Sequence, residues 1–99
     1  MDHRRRCRRM TVVYRDREGS RRELKLRYHL LCRETWLAGT AYGVEVCSSM
    51  TRENGIVRDR AEVFPLPLDK EETMRLLNCL AEGTVTPVTL QDVVRDLIG

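Results

Sequence analysis

The sequence predicts an α+β domain, an antiparallel four-stranded meander sheet covered on one face by two short C-terminal helices. Three observations predict it. Apolar and polar residues alternate with period two through the middle of the chain, turn-forming stretches punctuate that alternation, and from Asp69 onward the apolar period lengthens to that of a helix. At 99 residues there is room for one domain and one modest core. With 41% hydrophobic and 33% charged residues, most of the chain belongs with folded rather than disordered sequences.

The first expected strand is "MTVVYRD", Met10 to Asp16, β-branched and aromatic, and it stops at the turn-forming "REGS" of Arg17 to Ser20. The second, Arg22 to Glu34, alternates most clearly: Leu24, Leu26, Tyr28, Leu30 and Cys32 share one face, and Lys25, Arg27, His29 and Arg33 the other. After the connection "TWLAGTA", the stretch "YGVEVCSSM" sets Tyr42, Val44 and Val46 against Gly43, Glu45 and Cys47. Asn54-Gly55 marks a tight hairpin, because this pair readily takes positive φ. The return strand runs from Ile56 to Phe64 and ends where Pro65 and Pro67 remove ladder donors.

Asp69 is placed to cap the first helix with Glu72 completing a reciprocal capping box, and Met74, Leu76, Leu77, Leu80 and Ala81 form its apolar stripe. Gly83 follows as the expected left-handed stop. A second, shorter helix starts at Thr89, with Asp92 as its capping partner and Val93, Val94, Leu97 and Ile98 as its buried face.

Residues 1–9 are expected to be a disordered, arginine-rich arm, leaving 10–99 as the single domain. Arg4, Arg5, Arg6, Arg8 and Arg9 face only Asp2 there, whereas the rest of the chain carries 13 basic and 14 acidic residues. Basicity therefore resides in the arm and the body is near neutral. The apolar runs are far shorter than the roughly 20 residues a membrane span needs, and no apolar segment follows the charged N-terminus as in a secretory signal. The expected address is the cytoplasm, with no membrane association. There, Cys7, Cys32, Cys47 and Cys79, widely and irregularly spaced, read as reduced thiols, three of them core hydrophobes. No zinc-ligand spacing links them to His3 or His29, so no metal or other cofactor is expected.

The stretch "TPVTLQDVVRDLIG", with "YGVEV" and the Tyr-x-Leu of Tyr28 to Leu30, resembles a family of small bacterial proteins from Firmicutes classed only as a domain of unknown function. The similarity covers roughly residues 10–98 and rests on Tyr42, Gly43, Val44, Pro87, Leu90, Asp92, Val93, Val94 and Asp96. It implies a bacterial, cytosolic, non-enzymatic protein and carries over no catalytic residue.

Among candidate sites, His29 and Cys32 point to opposite faces of one strand and cannot form a nucleophile-base pair, whereas His29 and Glu45 can share a face as an acid-base pair. No phosphate-binding loop, carboxylate cluster or activated serine accompanies them, so no catalytic residue is assigned. The expected function is that of a regulator, adaptor or inhibitor docking on a protein partner. Trp36 and Leu37 would serve as apolar anchors, with Lys25, Arg27, His29 and Arg33 on the wet face beside Arg15, Arg58 and Arg60. Trp36 can alternatively fold back to close the end of the core. The second reading is nucleic-acid binding through Arg4, Arg5, Arg6, Arg8 and Arg9 aided by that face. An uncovered sheet also permits a homodimer.

Overall fold

The computed structural model describes residues 2–99, without the side chains of Asp2 and Arg6. Four strands, β1 (Asp2–Arg15), β2 (Arg21–Thr35), β3 (Gly39–Arg52) and β4 (Gly55–Leu66), are followed by α1 (Lys70–Glu82), a 3-10 turn (Pro87–Thr89) and α2 (Leu90–Ile98). The sheet is an antiparallel meander in the order β1-β2-β3-β4. Helix α1 lies over β2 and β3, and the 3-10 turn and α2 lie over β4. The α+β architecture read from the periodicity is the architecture found.

Alternation in the two central strands sorts the side chains as expected. Leu26, Tyr28 and Leu30 of β2, with Val44 and Val46 of β3, are buried against Leu76, Leu77, Leu80, Leu90 and Val94 of the helices. The Tyr28 hydroxyl donates to the Val85 carbonyl at 2.8 Å, tying the loop between the helices to the sheet. Burial pushes that phenol up to about 12, against the pull of nearby Arg8, so it stays a donor throughout the physiological range.

The N-terminal arm departs most from expectation. Residues 2–9 are not a disordered tail but the first half of β1, paired with β2 from Asp2↔Arg33 to Arg9↔Arg27 and continuing to Arg15↔Arg21. A register shift between Arg6 and Arg8 bulges out Cys7, whose thiol points to the Met74 sulfur at 3.8 Å. The physical reason lies in β2: a 15-residue strand needs a partner along its whole length, and a β1 starting at Met10 would leave half its ladder groups unpaired. Because β1 is an edge, its arginines also discourage pairing with another copy through like-charge repulsion.

The Asp69–Glu72 capping box forms as expected, with the Glu72 amide donating to Asp69 Oδ1 at 2.8 Å and the Asp69 amide to Glu72 Oε1 at 3.1 Å. Gly83 ends α1, but in a right-handed conformation (φ −82°); the left-handed residue is Thr84 (φ +48°), which lets the Val85 amide reach the Leu80 carbonyl at 3.0 Å. Thr89 does not cap α2. It closes the preceding turn on the Thr86 carbonyl, and Leu90 and Val94 take the buried positions, leaving Leu97 and Ile98 exposed. Pro65 lies inside β4, which runs on to Leu66 past a cis Phe64–Pro65 bond beside a register shift. Only Cys47 of the four free cysteines is buried and Cys79 is exposed, so three core thiols are not found.

Two substitutions test this account. Thr84→Gly relieves the left-handed strain of a β-branched residue and raises the unfolding free energy by about 0.5–1 kcal/mol in urea titrations. In Gly43→Ala the new Cβ would fall 2.5 Å from the Val63 carbonyl oxygen and 2.6 Å from the Phe64 ring. It therefore lowers the unfolding free energy by about 2 kcal/mol in the same titrations.

Candidate functional site

Helices cover one face of the sheet only. On the other, odd-numbered residues of β2 and β3 project together, because register partners in an antiparallel pair share a face: His29 lies opposite Glu45, Arg27 opposite Cys47 and Lys25 opposite Ser49. From β4, Arg60 lies opposite Cys47 and Glu62 opposite Glu45. Glu45 thus sits near the middle of an uncovered sheet and is nonetheless 1% exposed.

Polar neighbours from all four strands bury it. Arg4 of β1 donates to Glu45 Oε1 at 3.2 Å, His29 Nδ1 of β2 lies 2.9 Å from the same oxygen, and the Cys47 thiol of β3 donates to it at 3.5 Å. Arg60 of β4 donates through Nε to Oε2 and through its terminal nitrogen to Glu62 at 2.9 Å. Since an ionised carboxylate only accepts, the His29 proton resides on Nδ1. The acid-base pairing expected for His29 and Glu45 is present. The exposure expected for His29 is not: it is 5% exposed and held against Glu45, which removes it from any docking surface.

Electrostatics follow from this packing. Burial alone would raise the Glu45 carboxyl, but hydrogen bonds from Arg60 and Cys47 and the charges of Arg60 and Arg4 outweigh it and hold the group below the ordinary carboxylate range. His29 is pushed down by burial, with Arg4 and Arg27 acting in the same sense and Glu45 resisting. Burial and then the Glu45 charge push the Cys47 thiol up, so it is a thiol rather than a nucleophilic thiolate at neutral pH.

Beside this cluster the same face turns strongly basic. Arg9, Lys25, Arg27 and Arg58, from β1, β2 and β4, line one open groove with Thr11 and Ser49. Among the described residues none of the four cations has a carboxylate within 4.0 Å, the acids on this face being taken up by Arg4, Arg21 and Arg60. Val13 and Ile56 continue the face toward the hairpin ends, 51% and 58% exposed. At the other end, Arg33 lies over the Phe64 ring, its guanidinium carbon 5.3 Å from the centroid.

The remaining sequence candidates scatter. Trp36 and Leu37 form the tip of the β2–β3 hairpin, 92% and 80% exposed, so Trp36 does not close the core. Eleven residues of strand separate Trp36 from Lys25, about 36 Å, so anchors and groove are distinct surfaces. Arg4 and Arg9 project onto the open face, whereas Arg5 and Arg8 pair with Leu30 and Tyr28 on the helix side; the Arg6 side chain lies outside the described residues. That β2 outruns a partner starting at Met10 is the signal that would have put these arginines in a strand, but alternation outward from Arg9 would have set Arg5 rather than Arg4 on the open face, because the bulge at Cys7 reverses the parity.

The geometry defines a two-layer α+β protein with an uncovered, basic sheet face organised around one buried carboxylate. Residues 8–99 match the model of a family of unknown function, DUF6514, and the chain belongs to that family. The match takes in Arg8 and Arg9, so it includes part of the arginine-rich strand. No curated protein and no solved structure matches the chain. Among the described residues no helix is long and apolar enough to cross a membrane.

His29 and Glu45 both hold fewer protons in the folded than in the unfolded chain, so their contribution to stability is complete at high pH and lost on acidification. The loss begins below about pH 6.5, where an unfolded histidine takes up its proton, and continues through the depressed range of Glu45. In urea unfolding followed from about pH 8 to pH 3, His29→Gln abolishes the first stage and keeps the second. A profile unchanged by that substitution contradicts the buried neutral imidazole. Glu45→Gln lowers stability at neutral pH by about 1–2 kcal/mol rather than more, because the arginines it releases can turn into water.

Proposed function

We propose that this protein is a cytoplasmic binding module without catalysis of its own, acting as a regulator, adaptor or inhibitor that docks an acidic segment of a protein partner on its open sheet face. The observation that carries the reading is the quartet Arg9, Lys25, Arg27 and Arg58 in one groove, none of which has an ion-pair partner among the described residues. Four like charges held side by side repel one another, and a partner's carboxylates would relieve that repulsion. Exposed Val13 and Ile56 beside the groove add apolar contact of the kind a protein segment offers. The raised Cys47 thiol and the arginine-bound Glu45 leave neither group poised as nucleophile or base, in keeping with a binding role.

A second reading, nucleic-acid binding, is favoured by one observation: Arg4 and Arg9 of the arginine-rich segment share the face with the other cations. Against it, among the described residues no aromatic side chain lines the groove to stack on bases. Deleting residues 1–9 does not separate the two readings, because it removes half of a paired strand.

Surface substitutions do separate them. A fluorescent peptide alternating glutamate with leucine, and a DNA duplex of similar charge, are titrated by anisotropy at low and at elevated salt. The peptide is expected to bind, and Lys25→Glu combined with Arg58→Glu to weaken it at least about tenfold. Duplex binding without peptide binding would transfer the assignment to the second reading, and binding of neither refutes both.

A further inference from the structure

We propose that His29, Glu45 and Cys47 form a binding site for a divalent transition-metal ion, best suited to Zn(II), with three protein ligands and a fourth position open to the adjoining cleft. Their ligating atoms lie within 4.8 Å of one another and all three residues are buried. The separations are 2.9 Å from His29 Nδ1 to Glu45 Oε1, 3.5 Å from Cys47 Sγ to that oxygen and 3.9 Å from Cys47 Sγ to His29 Nδ1. Ordinary zinc bond lengths at tetrahedral angles require about 3.3 Å between nitrogen and oxygen and about 3.5 Å between sulfur and either. Movements of a few tenths of an ångström therefore convert the hydrogen-bonded triangle into a ligand triangle. Neighbouring strands hold the three groups, so little order is lost on binding.

The donor set is chemically apt. Thiolate, imidazole and carboxylate together select zinc-like ions over calcium or magnesium, which take oxygen alone. Binding forms bonds from the metal to Sγ, Nδ1 and Oε1. The Cys47 proton leaves to water and the imidazole proton moves to Nε2, so one proton is released per ion. Two anionic ligands then cancel the two charges of the metal. Arg4, whose side chain is 57% exposed, yields its place on Oε1, while Arg60 keeps Oε2 and orients the carboxylate as an outer partner. Ions enter through a cleft of about 300 Å³ that reaches Glu45 between Arg4, Arg60 and Phe64 and leaves room for a water as fourth ligand. Arg4, Arg27 and Arg60 all oppose a cation electrostatically, so the affinity expected is that of an exchangeable site.

The test is titration of the full-length, metal-stripped protein with Co(II) and Zn(II). One equivalent of Co(II) is expected to give a thiolate-to-cobalt charge-transfer band, which Zn(II) displaces, and Zn(II) to raise the melting temperature reversibly with chelator. Cys47→Ser and His29→Gln weaken binding by more than about 100-fold, while Cys79→Ser and Cys32→Ser bind as the wild type does. Absence of stoichiometric binding by the wild-type protein overturns the proposal without recourse to variants. So does a charge-transfer band that survives Cys47→Ser or is lost with Cys32 or Cys79.

Discussion

A single buried carboxylate holds the open face of this protein together. Glu45 stands near the middle of an uncovered sheet and would, if ionised and alone, be intolerable out of water. It is ionised and not alone, receiving Arg4 from β1, His29 from β2, Cys47 from its own strand and Arg60 from β4. One group thus gathers a side chain from every strand. Among the described residues no buried side-chain nitrogen or oxygen lacks a partner, so the network is complete. Helices supply the apolar half of the structure, and the carboxylate organises the other.

The two faces therefore divide the work. On the helix side, Tyr28, Leu26 and Leu77 are wholly or almost wholly buried and fix the register of the central strands, since a slip of one residue would carry every side chain to the wrong face. On the open side, the paired acids leave a surplus of cations. That surplus is enlarged because the arginine-rich segment is a strand, which delivers Arg4 to the carboxylate and adds Arg9 to Lys25, Arg27 and Arg58 in the groove. What read as a tail beside a neutral body is part of the surface of that body.

The extended outline, 53 by 27 by 18 Å, follows from strands about twice the usual length covered by short helices. The hairpin ends project beyond the core, which is why Trp36, Leu37 and Ile56 are exposed despite their size. The groove of Arg9, Lys25, Arg27 and Arg58 lies between the buried carboxylate and the β1–β2 and β3–β4 hairpin ends.

The sequence alone determined what depends on near neighbours along the chain. Alternation placed Leu26, Tyr28 and Leu30 inward, Asn54-Gly55 marked a turn, and Asp69 with Glu72 announced a helix start, because period, turn chemistry and capping act over two to four residues. It also allowed His29 and Glu45 to share a face, one register step across a hairpin. Tertiary structure decided the rest. Whether the arginine segment orders depended on unpaired groups in β2, the burial of Glu45 depended on Arg4 and Arg60, 41 and 15 residues away, donating to it, and Thr84 rather than Gly83 took the left-handed turn because Val85 had to meet Tyr28. Such outcomes are set by which strands become neighbours and by which polar groups must then be satisfied, and no local pattern encodes them.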